Sequence, residues 1–312
     1  MKLSTLILFA FVANLPLVGS TFTVNSLGDT GTGIGNTGDL RYAIAHASNG
    51  DSIVFSVSGM ISLNTPLIIG TSLTINGSGI AINGSTSGTI FDVTGSSSDI
   101  FTNLSLLNAN DAITGSASAS VSVLDSTISG GGDGLFGVNA TVTNSTFSGN
   151  SFAILGGAVS LYDSTISGGS FGTQNTNLTI GNSIIYGNTT DVGSGTVVTD
   201  LGHNVIGGGG GFINGVNGDI VGFNPNLAPV ANNGGPTLTY ALSAGSAAID
   251  AGNNAIIPAG ITTDQRGFAR ISGGTVDIGA FEFQQTTQTP EPATYLTCLL
   301  GFAIGAWRLR KR

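Results

Sequence analysis

The sequence predicts an all-β chain wound into one single-stranded, right-handed parallel β-helix with a short N-terminal capping helix. Three observations predict it. A ten-residue pattern returns at constant spacing, only 8 % of the 312 residues are charged, and Gly numbers 50 while Ser, Thr and Asn fill most other polar positions. This is not the composition of a helical enzyme. The glycines lack the three-residue period of collagen, and 40 % hydrophobic residues supply a core that a disordered chain would lack.

The repeat begins as Val121-Ser-Val-Leu-Asp-Ser-Thr-Ile-Ser-Gly130 and returns as Ala140-Thr-Val-Thr-Asn-Ser-Thr-Phe-Ser-Gly149. It returns again as Val159-Ser-Leu-Tyr-Asp-Ser-Thr-Ile-Ser-Gly168 and as Leu178-Thr-Ile-Gly-Asn-Ser-Ile-Ile-Tyr-Gly187, each copy 19 residues after the last. A fixed register of this kind marks a solenoid, in which each unit buries its apolar face only against its neighbours. Apolar and polar residues alternate inside each copy, which is strand periodicity. Stacking the copies yields inward columns: Val121, Ala140, Val159 and Leu178; Val123, Val142, Leu161 and Ile180; Ile128, Phe147, Ile166 and Ile185.

Asp125, Asn144, Asp163 and Asn182 form a corner column of residues that tolerate left-handed backbone, and Gly130, Gly149, Gly168 and Gly187 form a second bend. Less regular rungs are expected around Leu73 to Ile75, Ile82, Leu104 to Leu106 and Val197. Before them, Leu40, Ala43, Ile44 and Ala47 share one helical face, which predicts a short helix closing the open, otherwise unpaired end of the solenoid.

Both termini read as addresses. Residues 1–20 combine Lys2, an apolar stretch from Leu6 to Val18 and the small residues Val18, Gly19 and Ser20, a secretory signal peptide cleaved after Ser20. At the other end Pro290-Glu291-Pro292 precedes an apolar stretch, 293–307, and the basic stop Arg308, Arg310, Lys311 and Arg312. Fifteen helical residues span about 22 Å, short of a hydrocarbon core of about 30 Å.

This tail resembles the PEP-CTERM sorting signal. The resemblance implies recognition of Pro290, Glu291 and Pro292 by an exosortase-like membrane transpeptidase, transient anchoring in the membrane, and a final place at the cell surface or outside it. Thr21 to Asn25 followed by Gly38 to Ile44 is similar to the CSLREAI-type opening of exported β-helix proteins, without that motif's Cys. Leu201 to Gly207, Asn232 to Thr239, Ser246 to Gly252, Thr263 to Gly267 and Val276 to Glu282 resemble the choice-of-anchor Q domain. These resemblances imply a pectin-lyase-like solenoid and no biochemical activity. The expected layout is a signal peptide at 1–20, an N-terminal strand and cap helix at 21–60, the β-helix at 61–225, a choice-of-anchor Q-like segment at 226–284 and the sorting tail at 285–312.

Charge excludes some partners. Between Thr21 and Thr289 stand three basic residues (Arg41, Arg266 and Arg270) against sixteen acidic ones, a net −13. Such a body repels nucleic acid. The single cysteine, Cys298, lies in the tail, so the body has neither a disulfide nor a thiol nucleophile.

Right-handed β-helices host polysaccharide lyases and polygalacturonases, whose chemistry needs clustered carboxylates, with or without calcium, and a basic residue near the cleaved bond. No Lys or Arg lies between Tyr42 and Gln265, and the carboxylates of the repeats come one per rung. His46 and His203 lack a nucleophile or ligand partner in sequence and read as structural. Asp250, Asp264, Arg266, Asp277 and Glu282 read as a clamp closing the solenoid, with a calcium site as the rival.

Thr127, Thr146 and Thr165 form an outward column, an ice- or glycan-contacting face set against the plainer reading of β-propensity on a solvated sheet. The Asn-x-Ser/Thr sites at Asn76, Asn83, Asn103, Asn144, Asn177 and Asn188 follow from composition. These readings lead to an expectation of a non-catalytic surface or matrix protein in adhesion or biofilm architecture, with no cofactor, no metal and no catalytic residue. Signal peptidase, the exosortase-like enzyme and extracellular polysaccharide are its expected partners. A polysaccharide lyase or hydrolase is the rival reading, with an ice- or glycan-binding module third.

Overall fold

The computed structural model describes residues 19–85 and 88–284. Most of them form an all-β parallel solenoid of about 8 turns, a right-handed β-helix as the repeat predicts. Each complete turn contributes one strand to each of three sheets, which are parallel except where Gly33–Ile34 pairs antiparallel with Thr37–Gly38 at the N-terminal edge of the first. The first sheet has 11 strands, the second 9 and the third 7. In the turn that opens the regular repeats these strands are Ser120–Leu124, Thr127–Ser129 and Asp133–Phe136.

The register follows the 19-residue offset through Val121↔Ala140, Ala140↔Val159 and Val159↔Leu178. Val123, Val142, Leu161 and Ile180 are fully buried, as are Phe147, Ile166 and Ile185. Earlier turns are longer: Phe101 pairs with Val123 at an offset of 22. Asp125, Asn144, Asp163 and Asn182 have φ between 47° and 50°, the left-handed corner that their short polar side chains tolerate.

The residue after each corner does equal work. Ser145 Oγ accepts the Ser126 N–H at 3.2 Å, Ser164 Oγ accepts from Ser145 at 3.1 Å, and Ser183 Oγ accepts from Ser164 at 3.2 Å. A buried serine ladder thus satisfies the backbone where the chain turns between the first and second sheets, which is why Ser recurs after the corner in every copy.

The helix Leu40–His46 caps the N-terminal end, burying Leu40, Ala43 and Ile44 as the apolar spacing predicts. Asp39 is its N-cap, accepting from Tyr42 N at 2.8 Å. Arg41 fastens the helix through Asp29 at 2.8 Å and the carbonyls of Thr65 and Pro66.

Past the strand Ile220–Val221 the chain leaves the solenoid and runs back along the outside of the second sheet. Here one expectation is corrected. Thr127, Thr146 and Thr165 do point away from the lumen, but they are at most 1 % exposed. Thr127 Oγ1 donates to Leu238 O at 2.6 Å, Thr146 Oγ1 to Gln265 Oε1 at 2.6 Å, and Ala280 N donates to Thr165 Oγ1 at 3.1 Å. The column is a docking strip for the C-terminal segment and offers no face to ice or glycan. Ile184, Val205, Leu242, Ala248, Ile278 and Phe281 form a second apolar cluster that seals this contact.

Among the described residues no helix is long and apolar enough to cross a membrane. The signal peptide through Val18, the sorting motif Pro290, Glu291 and Pro292, the apolar stretch 293–307 and the basic stop Arg308, Arg310, Lys311 and Arg312 lie outside the described residues.

Candidate functional site

The outer face of the third sheet carries the most suggestive arrangement. One column runs Thr89, Asp111, Asp133, Phe152, Phe171, Thr190, each residue the direct cross-strand partner of the next. All six are half-buried. Beside it runs a second column of Ile68, Asp92, Thr114, Phe136, Leu155 and Gln174, in which Ile68 is 59 % and Phe136 43 % exposed.

Register brings the carboxylates together. Neighbouring parallel strands lie about 4.8 Å apart, and Asp111 and Asp133 are direct cross-strand partners on one face of the sheet, so their carboxyl groups are neighbours. Thr89 Oγ1 and Asn110 Nδ2 both donate to Asp111 Oδ2 at 3.3 Å and so orient it. Burial, and then the charge of Asp111, push Asp133 up to about 6. Asp133 therefore keeps its proton below about that pH, as a general acid must.

Gly134 is required beside Asp133. A Cβ there would stand 2.5 Å from Ala153 O and 2.9 Å from the Phe147 ring, so the strand can approach its neighbour this closely only with Gly. One rung further, Phe152 and Phe171 stack with ring centroids 4.7 Å apart and an interplanar angle of 8°. The face is thus acidic at one end and aromatic at the other.

A second acidic pair closes the far end of the solenoid. Asp200 and Asp219 line a cleft of about 270 Å³ with Val198, Phe212, Ile213 and Asn217. Burial pushes Asp219 up to about 6, with Asp200 adding to it. Asn204 Nδ2 donates to both carboxylates and Asn217 Nδ2 to Asp200, so this pair is committed to holding the last turn together.

The remaining sequence candidates fall into structural places. His46 Nδ1 lies 2.9 Å from Tyr42 O and its ring stacks on Tyr42, while His203 Nδ1 lies 2.9 Å from Ala251 O. Asp264 pairs with Arg266 at 2.6 Å, and the guanidinium of Arg266 stands 3.5 Å from the centroid of Phe281. Arg270 lies 3.6 Å from Glu282. Asp264, Arg266, Arg270 and Glu282 all belong to the docked C-terminal segment, whereas His46 ends the capping helix and His203 lies in a late turn of the solenoid. Among the described residues no group of three or more His, Cys, Asp or Glu is arranged to hold a metal ion.

No family model matches the sequence, and no curated protein matches it. Solved structures do. A 1.7 Å crystal structure of Jun a 1, the major allergen from cedar pollen, superposes with a TM-score of 0.49 at 18 % identity, over 60 % of this chain and 66 % of that one. A crystal structure of pectate lyase Pel9A superposes with a TM-score of 0.33 at 14 % identity, over 85 % of this chain and 97 % of that one. At these identities the likeness is one of fold.

The expectation that the chain is not an enzyme does not stand. It rested on carboxylates spaced one per rung, and that inference fails on geometry. One per rung, in register, is a pair: the 22-residue offset between Asp111 and Asp133 places them side by side. That offset, visible in the sequence, was the signal for the site, and the 19-residue period of the later turns concealed it.

Proposed function

We propose that the chain is a polysaccharide-active β-helix protein that cleaves glycosidic bonds on the outer face of its third sheet. The observation that carries this reading is the shared column of Asp111 and Asp133 with Phe152 and Phe171. A glycan lying along the solenoid axis crosses the aromatic stack and presents a linkage to the carboxylates. Asp133, protonated up to about 6, gives its proton to the leaving oxygen. Asp111, oriented by Thr89 and Asn110, is the nucleophile or base on the sugar.

Hydrolysis fits this face better than elimination. Elimination from a uronate calls for neutralisation of its carboxylate, and the chain has no Lys or Arg between Tyr42 and Gln265. The test is a panel of neutral and acidic polysaccharides assayed both for new reducing ends and for unsaturated products. Saturated products lost in Asp133→Asn support the reading, and unsaturated products retained in that variant contradict it. Neither the fold nor the comparisons support the adhesion and matrix role expected from the sequence.

Export belongs to the same proposal. Residues 1–20 address the chain to signal peptidase and 285–312 to an exosortase-like enzyme, with transient membrane anchorage through 293–307 and an extracellular or surface site of action. Intact mass of the native protein, compared with a variant carrying alanine at Pro290, Glu291 and Pro292, tests this route. Tail loss only in the wild type supports it; an intact tail in both contradicts it.

A further inference from the structure

The seam between the solenoid and the C-terminal segment contains more buried carboxyl groups than its two guanidinium groups, Arg266 and Arg270, can compensate. We propose that the segment 226–284 is a pH-operated strap: ionisation of Asp125 and Asp163 on the solenoid, and of Asp277 and Glu282 on the segment, around the guanidinium of Arg270, loosens it from the column of Thr127, Thr146 and Thr165.

Arg270 is 1 % exposed and is held by carbonyls of its own segment, donating from Nη2 to Asp277 O at 2.7 Å and Gly279 O at 2.9 Å. Its nearest carboxylate is Glu282, at 3.6 Å. Nε and Nη1 are buried without a hydrogen bond, and so are Asp125 Oδ1, Asn144 Oδ1 and Asp163 Oδ2 on the opposing solenoid corner. The two sides of the seam carry complementary groups that do not reach each other, an arrangement that a closed core avoids. The remaining charges here are accounted for: Asp264 pairs with Arg266, and Asp250 neighbours Asp277 on the segment itself.

Titration follows from that crowding. Burial raises all four carboxyls, taking Asp125 to about 7 and Glu282 to about 8. Glu282 rises even though the Ser272 and Asp277 N–H groups donate to it and Arg270 stands beside it. The raised groups keep protons in the docked state that they lose at ordinary carboxylate values once exposed. Docking is therefore strongest below about 4 and weakens as pH rises towards 8. Each extra proton held by the docked state changes the opening equilibrium about tenfold per pH unit.

The experiment is hydrogen exchange of the full chain from pH 5 to 9, corrected for intrinsic rates and read separately for 226–284 and for the repeats 121–181. Expected is protection of 226–284 that falls at least tenfold across the range while the repeats stay protected. Asp125→Asn with Asp163→Asn converts the corner to an all-Asn ladder without losing its acceptors, and should flatten that slope. Arg270→Met should move opening to lower pH. Protection independent of pH in the wild type, or an undiminished slope in the double variant whose repeats remain protected, overturns the proposal. Should the double variant lose protection in its repeats, the wild-type slope and the direction of the Arg270→Met shift decide.

Discussion

Thr146 Oγ1 donates to Gln265 Oε1 at 2.6 Å, joining two residues 119 positions apart that are both 1 % exposed or less. Gln265 Nε2 meanwhile reaches Ser126 O, Thr127 Oγ1, Thr237 Oγ1 and Leu238 O, at 2.9 to 3.2 Å. One amide thus ties two rungs of the solenoid to two stretches of the segment that covers them.

Removing that amide should be costly. Gln265→Ala removes the acceptor of the buried Thr146 hydroxyl and one of the partners of Ser126 O, Thr127 Oγ1 and Leu238 O, which keep another. A buried polar group left unsatisfied costs about 1 to 3 kcal/mol, so a loss of about that size in urea unfolding is expected. A change under about 0.5 kcal/mol, the size typical of surface substitutions, would show that the seam is not a cooperative part of the fold.

Phe147 tests the inward columns. It is fully buried between Ile128 and Ile166, and Phe147→Ala should cost about 3 to 5 kcal/mol of unfolding free energy. Because each rung rests only on its neighbours, exchange protection should fall most at rungs 128 and 166 and less with distance along the axis. Uniform loss along the solenoid would contradict nearest-neighbour packing.

Phe171 tests the aromatic end of the candidate site. Phe171 stands two strands from Asp133, with Phe152 between them, so Phe171→Ala should weaken glycan binding with kcat little changed. Aromatic contacts of about 0.5 to 1.5 kcal/mol correspond to roughly a two- to tenfold rise in KM. An equal fall in kcat would place the ring at the reacting centre instead.

The pH profile follows from Asp133. Its proton is present below about 6 and lost above it, so kcat/KM should decline on the alkaline side of that value. Asp111→Asn removes the neighbouring charge, and carboxyl NMR should then show Asp133 titrating lower than in the wild type. An unmoved titration would mean that the two carboxylates do not interact.

How much of this was legible in the sequence depends on periodicity. Val123, Val142, Leu161 and Ile180 were identified by alternation within the strands and a constant offset, and they are fully buried in register. The capping helix was legible from Leu40, Ala43 and Ile44. Thr127, Thr146 and Thr165 were placed on the correct side of the strand but in the wrong environment, because the covering segment has no period from which its path could be read. Asp111 and Asp133 were missed because their turn is three residues longer than the later ones.

The most direct test of the central claim is turnover of a cleaved polysaccharide by Asp111→Asn and Asp133→Asn, with far-ultraviolet circular dichroism confirming that each variant keeps its solenoid. Loss of a general acid or base slows a reaction by about 10² to 10⁴, so each single substitution should lower kcat at least a hundredfold, and the double variant little further. Full activity in both single variants would remove the catalytic site from this face.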